Sequence, residues 1–126
     1  MAVDEQSILD SVKKVVGLPA DDDSFDADII MFINGNFATL NQLGVGEDTF
    51  YIEDNTAKWG EFAPNVPYIG MIKSYMTMKV RLQWDPPQVS SLLASMEKMV
   101  AEYEWRLNVF ADKGLTVIPV VVDPED

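Results

Sequence analysis

The stretch "RLQWDPPQV", Arg81 to Val89, stands between two strongly helical patterns. Its double proline decides whether these make one rod, two domains or a folded-back pair. The residue before a proline avoids the α region, so the first of the two helices must stop at Trp84. Asp85 then reads as the N-cap of the next helix, with Pro86 at N1 and Pro87 at N2. Their missing N–H groups cost little there, because first-turn amides have no acceptor inside a helix. Gln88 falls at N3 of a variant capping box, and Trp84 and Val89 are spaced for a hydrophobic staple. Ser90 is the alternative cap if the helix starts later. Trp84, Asp85, Pro86, Pro87, Gln88 and Val89 therefore read as a stiff structural corner within one domain, not as a linker.

After the corner, Val89, Leu92, Leu93, Met96, Met99, Val100, Tyr103, Leu107 and Phe110 recur at i, i+3, i+4, i+7, the pattern of an amphipathic helix. Lys98–Glu102 and Glu102–Arg106 are spaced as i,i+4 ion pairs. A helix from Pro86 to Asp112 would be about 40 Å long. A compact domain of this size is only about 26 Å across. One end should project or meet another subunit. Before the corner, Ile69, Ile72, Tyr75, Met76, Met78, Val80 and Leu82 make the third helix apolar over a wide arc, as expected of a central helix. Asn65 can cap it, with Pro67 in its first turn.

Two further helices precede these. Residues 5–16 place Ile8, Leu9, Val12, Val15 and Val16 on one face, with Asp4 as N-cap, Lys13 and Lys14 suiting the C-terminal end of the dipole, and Gly17 and Pro19 as the stop. Residues 28–43 carry the stripe Ile29, Ile33, Phe37, Leu40 and Leu43, with Ser24 or Asp26 as cap and Gly44 as the stop. The amides Asn34, Asn36 and Asn41 are poor helix formers, and any that are buried need partners. Between the second and third helices "TFYIE", Thr49 to Glu53, reads as a short strand, and Trp59 and Phe62 belong to a helical turn capped by Asn55 or Thr56. The fold class is mainly α: a small four-helix domain with a short irregular β/loop insertion between helices 2 and 3 and an extended C-terminal arm. One domain covers 1–126, with the helical body at about 5–112 and the arm at about 113–126.

The chain has 126 residues, no cysteine, no histidine and a net charge of −12. Disulfides, Cys/His zinc sites, thiol nucleophiles and imidazole triads are thereby excluded. The charge is uneven: residues 1–63 carry net −10 and residues 64–126 net −2. Such a surface does not bind nucleic acid by neutralising phosphates. It serves solubility, or it faces another polyanion without sticking to it. No apolar run approaches the roughly 20 residues of a membrane span, and "MAVDEQS" lacks the apolar core of a signal peptide.

"DDDSFDAD", Asp21 to Asp28, invites a calcium reading, but an EF-hand begun at Asp22 has Ala27 where the turn needs Gly and Ile33 where two ligands come from Glu. "GVGED", Gly44 to Asp48, lacks the third glycine of a dinucleotide loop and follows a helix instead of a strand. Glu53 and Asp54 stand beside no nucleophile. Five of the seven methionines, Met71, Met76, Met78, Met96 and Met99, lie on the last two helices and read as core filler. The residues thus point to no enzyme, no cofactor and no metal. The β-branched run Leu115, Thr116, Val117, Ile118, Pro119, Val120, Val121 and Val122 either packs on its own domain or adds as a strand to a partner.

The order of "FDADIIMFINGNFATLNQLGVG" (Phe25–Gly46), Phe50 to Ile52, the Trp59 segment, "IKSYMTMKVRLQWDPPQVSSLL" (Ile72–Leu93) and "EYEWRLNVFAD" (Glu102–Asp112) resembles the head–tail connector, or head-completion adaptor, family of tailed bacteriophages. The resemblance covers roughly residues 5–112. "LNQLGVG", "KVRLQWDPP" and "EWRLN" in this order are its most specific parts. It implies a structural virion protein without enzymatic activity, a homo-oligomeric ring, usually a dodecamer, beneath the portal protein at the head–tail junction. Such a ring is assembled in the host bacterial cytoplasm, extends the DNA channel without sequence-specific binding, and docks stopper and tail-completion proteins. No membrane is involved. Under it, residues 115–122 are assigned to the portal or an adjacent subunit. The competing reading is a small acidic helical interaction or regulatory module without ring assembly.

Overall fold

The computed structural model describes residues 6–63 and 68–112. Among these residues five helices follow one another: α1 (Ile8–Val15), α2 (Asp26–Gln42), the single turn α3 (Trp59–Phe62), α4 (Ile69–Trp84) and α5 (Ser90–Asp112). Among the described residues there is no strand, only one antiparallel bridge between Ser7 and Lys58. The mainly α expectation holds. The residues of the proposed arm, 113–126, lie outside the described residues.

α4 is the central helix, packed against α1, α2 and α5. Its buried Ile72, Tyr75, Met76 and Val80 meet Ile8, Leu9 and Val12 of α1, Ile29, Ile33, Phe37 and Leu40 of α2, and Val100 and Leu107 of α5 in one core. Below the ends of α2 and α3 the rings of Phe37, Phe50 and Phe62 close on one another at 4.4 to 5.4 Å between centroids, near-optimal spacing for aromatic pairs.

Helix ends show where local chemistry decided. α1 starts one turn later than its pattern suggests: Ser7, not Asp4, is the N-cap, its Oγ accepting from the Asp10 N–H at 3.2 Å. Asp4 itself lies outside the described residues. α2 starts after Phe25 with no side-chain cap, so neither Ser24 nor Asp26 serves. Asp26 is instead engaged by Lys13 at 2.7 Å. Gly44, at φ 85°, ends α2 as expected, and the Val45 N–H reaches back to the Leu40 carbonyl at 2.9 Å, satisfying an orphan acceptor of the last turn. α4 begins after Tyr68, and Asn65 and Pro67 lie outside the described residues.

The expected strand at Thr49–Glu53 is not formed. Thr49 sits in the left-handed region at φ 57°, which breaks any extended run. The peptide groups of Ile52 are taken by a side chain: Asn34 Nδ2 donates to its carbonyl at 2.9 Å and Asn34 Oδ1 accepts from its N–H at 2.8 Å. One amide on α2 thus does what a neighbouring strand would have done, and it also answers where Asn34 finds its partners. α3 is capped by neither Asn55 nor Thr56. It starts after Lys58, whose N–H donates to Glu61 Oε1 at 3.2 Å. Trp59 is fixed from both sides: its N–H donates to the Gln6 carbonyl at 3.1 Å and its indole N–H to Ser11 Oγ at 3.2 Å.

The corner needs a larger correction. α4 does end at Trp84, and residues 85–89 do turn the chain into α5. Asp85, however, is the C-cap of α4, at φ −150° and ψ 74°, and α5 starts only at Ser90. The reason is in the pair itself. Pro86 is also a residue before a proline, so it is driven out of the α region and cannot be N1. With Asp85 five residues ahead of the helix, the Asp85–Gln88 capping box is lost. Ser90 is already helical and is not the cap either. The staple fails too: the Trp84 ring packs on Phe25 at 5.0 Å, and Val89 is exposed.

Candidate interaction surface

Among the described residues no group of three or more His, Cys, Asp or Glu is placed to hold a metal ion. The acidic loop that invited calcium is organised from within the protein. Lys13 is buried, and its ammonium donates to the carbonyls of Ala20 at 3.2 Å and Asp22 at 2.8 Å besides pairing with Asp26. The Asp22 carboxylate accepts from the Ser24 N–H at 3.0 Å. That bond is the main reason its pKa lies below the ordinary carboxylate value, with Lys13 adding a smaller pull. Asp54 is likewise lowered, by accepting from the Thr56 hydroxyl at 2.6 Å and the Thr56 N–H at 2.9 Å. Both carboxylates hold local turns in their charged form.

Between α4 and α5 one polar cluster is tied tightly. Tyr75 Oη donates to Glu104 Oε2 at 2.7 Å, and Lys79 Nζ donates to both at 2.9 and 3.1 Å. Burial first, and the Glu104 carboxylate second, push the Tyr75 pKa far above its ordinary value. The hydroxyl stays a neutral donor and pins α5 to α4. On α5 itself only Glu102–Arg106, at 2.7 Å, of the two expected ion pairs forms.

What remains is surface, and α5 dominates it. This helix runs 23 residues, about 34 Å. Only Val100 and Leu107 on it are buried. None of its first ten residues is. Leu92 is 48% exposed, Met99 43% and Trp105 66%. Leu92 and Met99 were expected in the core with Met96, which is only half buried. Met76 does fill the core, while Met71 and Met78 line its edge. On α2, Met31 is 62% exposed. A shallow depression of about 220 Å³ on α5 is lined by Met99, Glu102, Tyr103 and Arg106. Another of about 370 Å³ is rimmed by Glu53, Asp54 and Glu61. Neither encloses a ligand-sized space with converging polar groups.

Of the sites expected from sequence, the corner Trp84–Val89 lies at the exposed start of α5, with Pro87 buried beneath it. Leu115, Thr116, Val117, Ile118, Pro119, Val120, Val121 and Val122 lie outside the described residues. The exposed half of α5 was not recognisable from periodicity. Its trace in the sequence is the absence of any charge from Pro86 to Met96. No helix among the described residues is long and apolar enough to cross a membrane.

A family model described as "Phage connector protein" matches residues 8–114, most of the chain. Neither the curated proteins nor the solved structures contain a match.

Proposed function

This chain belongs to the phage connector family, and from that premise we propose that it is one subunit of a ring, a dodecamer in the usual form, seated beneath the portal at the head–tail junction. The ring lengthens the DNA channel and presents a docking surface to stopper and tail-completion proteins. The protein is a structural part of the virion and performs no catalysis. It assembles in the host cytoplasm.

The observation that carries this reading is α5. A 23-residue helix with two buried residues is far more helix than the core needs. Such a surface is expected of a subunit whose remaining contacts are made by neighbours. The charge supports it: a surface of net −12 lets phosphates pass without holding them. The apolar run 115–122 is assigned to the portal or an adjacent subunit, where an extended segment can pair with a free strand edge.

The test uses purified portal rings. Mixed with the full chain, they should give by mass photometry a complex heavier than portal by a full ring of subunits. Removing residues 113–126 should leave the circular dichroism of the helical body intact and weaken that complex. Portal that binds no copy of the full chain would refute the connector role, and a truncated chain that binds as well as the full one would refute the arm's assignment.

A further inference from the structure

Copies of a chain carrying −12 repel one another, so any contact between them must avoid the acids. Two surfaces do. From Ile29 to Gly46 there is no charged residue, and the outer side of α2 shows Met31, Gly35, Ala38 and Gln42 at helical spacing, all exposed. From Pro86 to Met96 there is again no charge, and Leu92, Met96, Met99 and Tyr103 form a stripe along one flank of α5, continuous with the core. Glu97 and Lys98 cancel each other and lie on other faces of the helix. At Gly35 an added Cβ would meet nothing, so this side of α2 has no cover among the described residues.

We propose that these two faces bind each other on successive copies, the α5 stripe of one subunit lying on the outer face of α2 in the next. This deepens the connector reading and rests on it, because it names the contact between ring neighbours. A second copy is the occupant that the charges favour. Both faces are neutral overall within one strongly acidic chain: Glu102, beside Met99 and Tyr103, is paired with Arg106, and α2 offers no acid from Ile29 to Gly46, so docking brings no carboxylate against another. The two faces differ, so the contact is heterologous and propagates until it closes into a ring. From Leu92 to Tyr103 the stripe is only about 17 Å long. Such a contact falls below the roughly 800 Å² per partner of a stable pair. Assembly therefore appears at high concentration or once closure makes the contacts cooperative.

Two full-length variants test this, each checked for helicity first: Ala38→Glu, which blocks the α2 face, and Leu92→Glu, which blocks the α5 face. By analytical ultracentrifugation at millimolar concentration, the parent chain should assemble beyond a dimer and each variant alone should stay monomeric. An equimolar mixture should give a species of twice the monomer mass and nothing larger, because only one good α2 face and one good α5 face can meet. Shortening the Debye length from about 10 Å toward 3 Å with salt should strengthen the parent's assembly, since it screens the like charges. A variant that dimerises alone would show a face pairing with itself and overturn the proposal. So would variants that assemble like the parent, or assembly that salt dissolves. All three results leave portal binding, and with it the connector reading, untouched. A parent chain monomeric at millimolar concentration overturns the contact as well, and the connector reading is then decided by the portal experiment alone.

Discussion

Replacing Lys13 by Met should lower stability by about 2–3 kcal/mol. Lys13 is 1% exposed; its ammonium donates to the Ala20 and Asp22 carbonyls and lies 2.7 Å from Asp26 Oδ1 as an ion pair. Met keeps most of the stem's volume and removes the charge and the donors. A hydrogen bond to a charged group is worth about 1.5–3 kcal/mol net, which would make two of them plus the ion pair too large a sum here. One acceptor recovers water, because Ala20 lies at the surface. Asp26 Oδ1 is itself shielded, but the side chain is 29% exposed, so rotation of the carboxylate recovers part of its loss, and the half-buried Asp22 carbonyl keeps its own in full. Losing the ammonium also relieves its own desolvation. The result falls at or just under the low end of the 3–5 kcal/mol seen when a buried pair is broken. For a domain of this size it corresponds to a fall in Tm of about 10 °C.

Thermal and urea melts followed by circular dichroism measure it, with an unchanged urea slope confirming that the folded state is intact. Asp26→Asn should cost less, because the amide oxygen still faces the Lys13 ammonium. A double-mutant cycle should return positive coupling between the two positions. If Lys13→Met stays within about 0.5 kcal/mol of the parent, burying the ammonium costs all that its three contacts return, and the argument that it organises the 20–26 loop fails.

Asn34→Ala removes both hydrogen bonds to Ile52 and should destabilise by about 1–3 kcal/mol, with faster amide exchange at Ile52; unchanged exchange would mean the loop is held by packing alone. Gly46→Ala should destabilise strongly, since a Cβ would overlap the buried Phe62 ring and φ is 78°, whereas Gly35→Ala meets nothing and should stabilise by about 1 kcal/mol; equal melting temperatures for the two would refute the distinction. Stability should fall as pH rises above the ordinary tyrosine value of 10.0, because the folded state holds the Tyr75 proton that the unfolded chain releases, and Tyr75→Phe should remove part of that slope in alkaline melts. Asp85→Ala should change the unfolding free energy from urea melts by no more than about 0.5 kcal/mol, as Asp85 caps no helix start; a loss near 1 kcal/mol would restore the cap.

Much of the fold was legible because its signals are local or periodic. The stop at Trp84 follows from the proline after Asp85, and the stop at Gly44 from the left-handed turn. The stripes of α1 and α2 pick out residues that are indeed buried, Ile8, Leu9, Val12, Ile29, Ile33, Phe37 and Leu40. Two of the failures share one cause, a distant partner overriding a local preference. Lys13 reads as a surface base at the C-terminal end of a helix until the 20–26 loop closes over it. Thr49 to Glu53 has the residues of a strand, but Asn34, eighteen positions before Ile52, supplies the hydrogen bonds a second strand would have made. At the double proline the error was local. Treating Pro86 only as a good N1 residue ignored that Pro87 denies it the helical conformation.

The candidate surface was harder to see because periodicity marks which residues share a face, not which molecule covers it. Leu92, Met96 and Met99 satisfy the same spacing as Val100 and Leu107, and the pattern alone places all five in one core. Length separates them. α5 is 23 residues against 16 for its neighbour α4, an excess of about 10 Å. Tyr75, Lys79 and Glu104 clamp the two helices together, and Asn108 donates to the Leu43 carbonyl at 3.2 Å near the far end. The uncovered length must therefore fall at the N-terminal end of α5, where the corner releases it. Charge says the same thing independently. A stretch bound for solvent in a chain where charged residues make up 24% would ordinarily carry two or three charges in eleven residues. Pro86 to Met96 carries none. An exposed segment that has both outgrown its core and shed its charge is shaped by contact with something other than water.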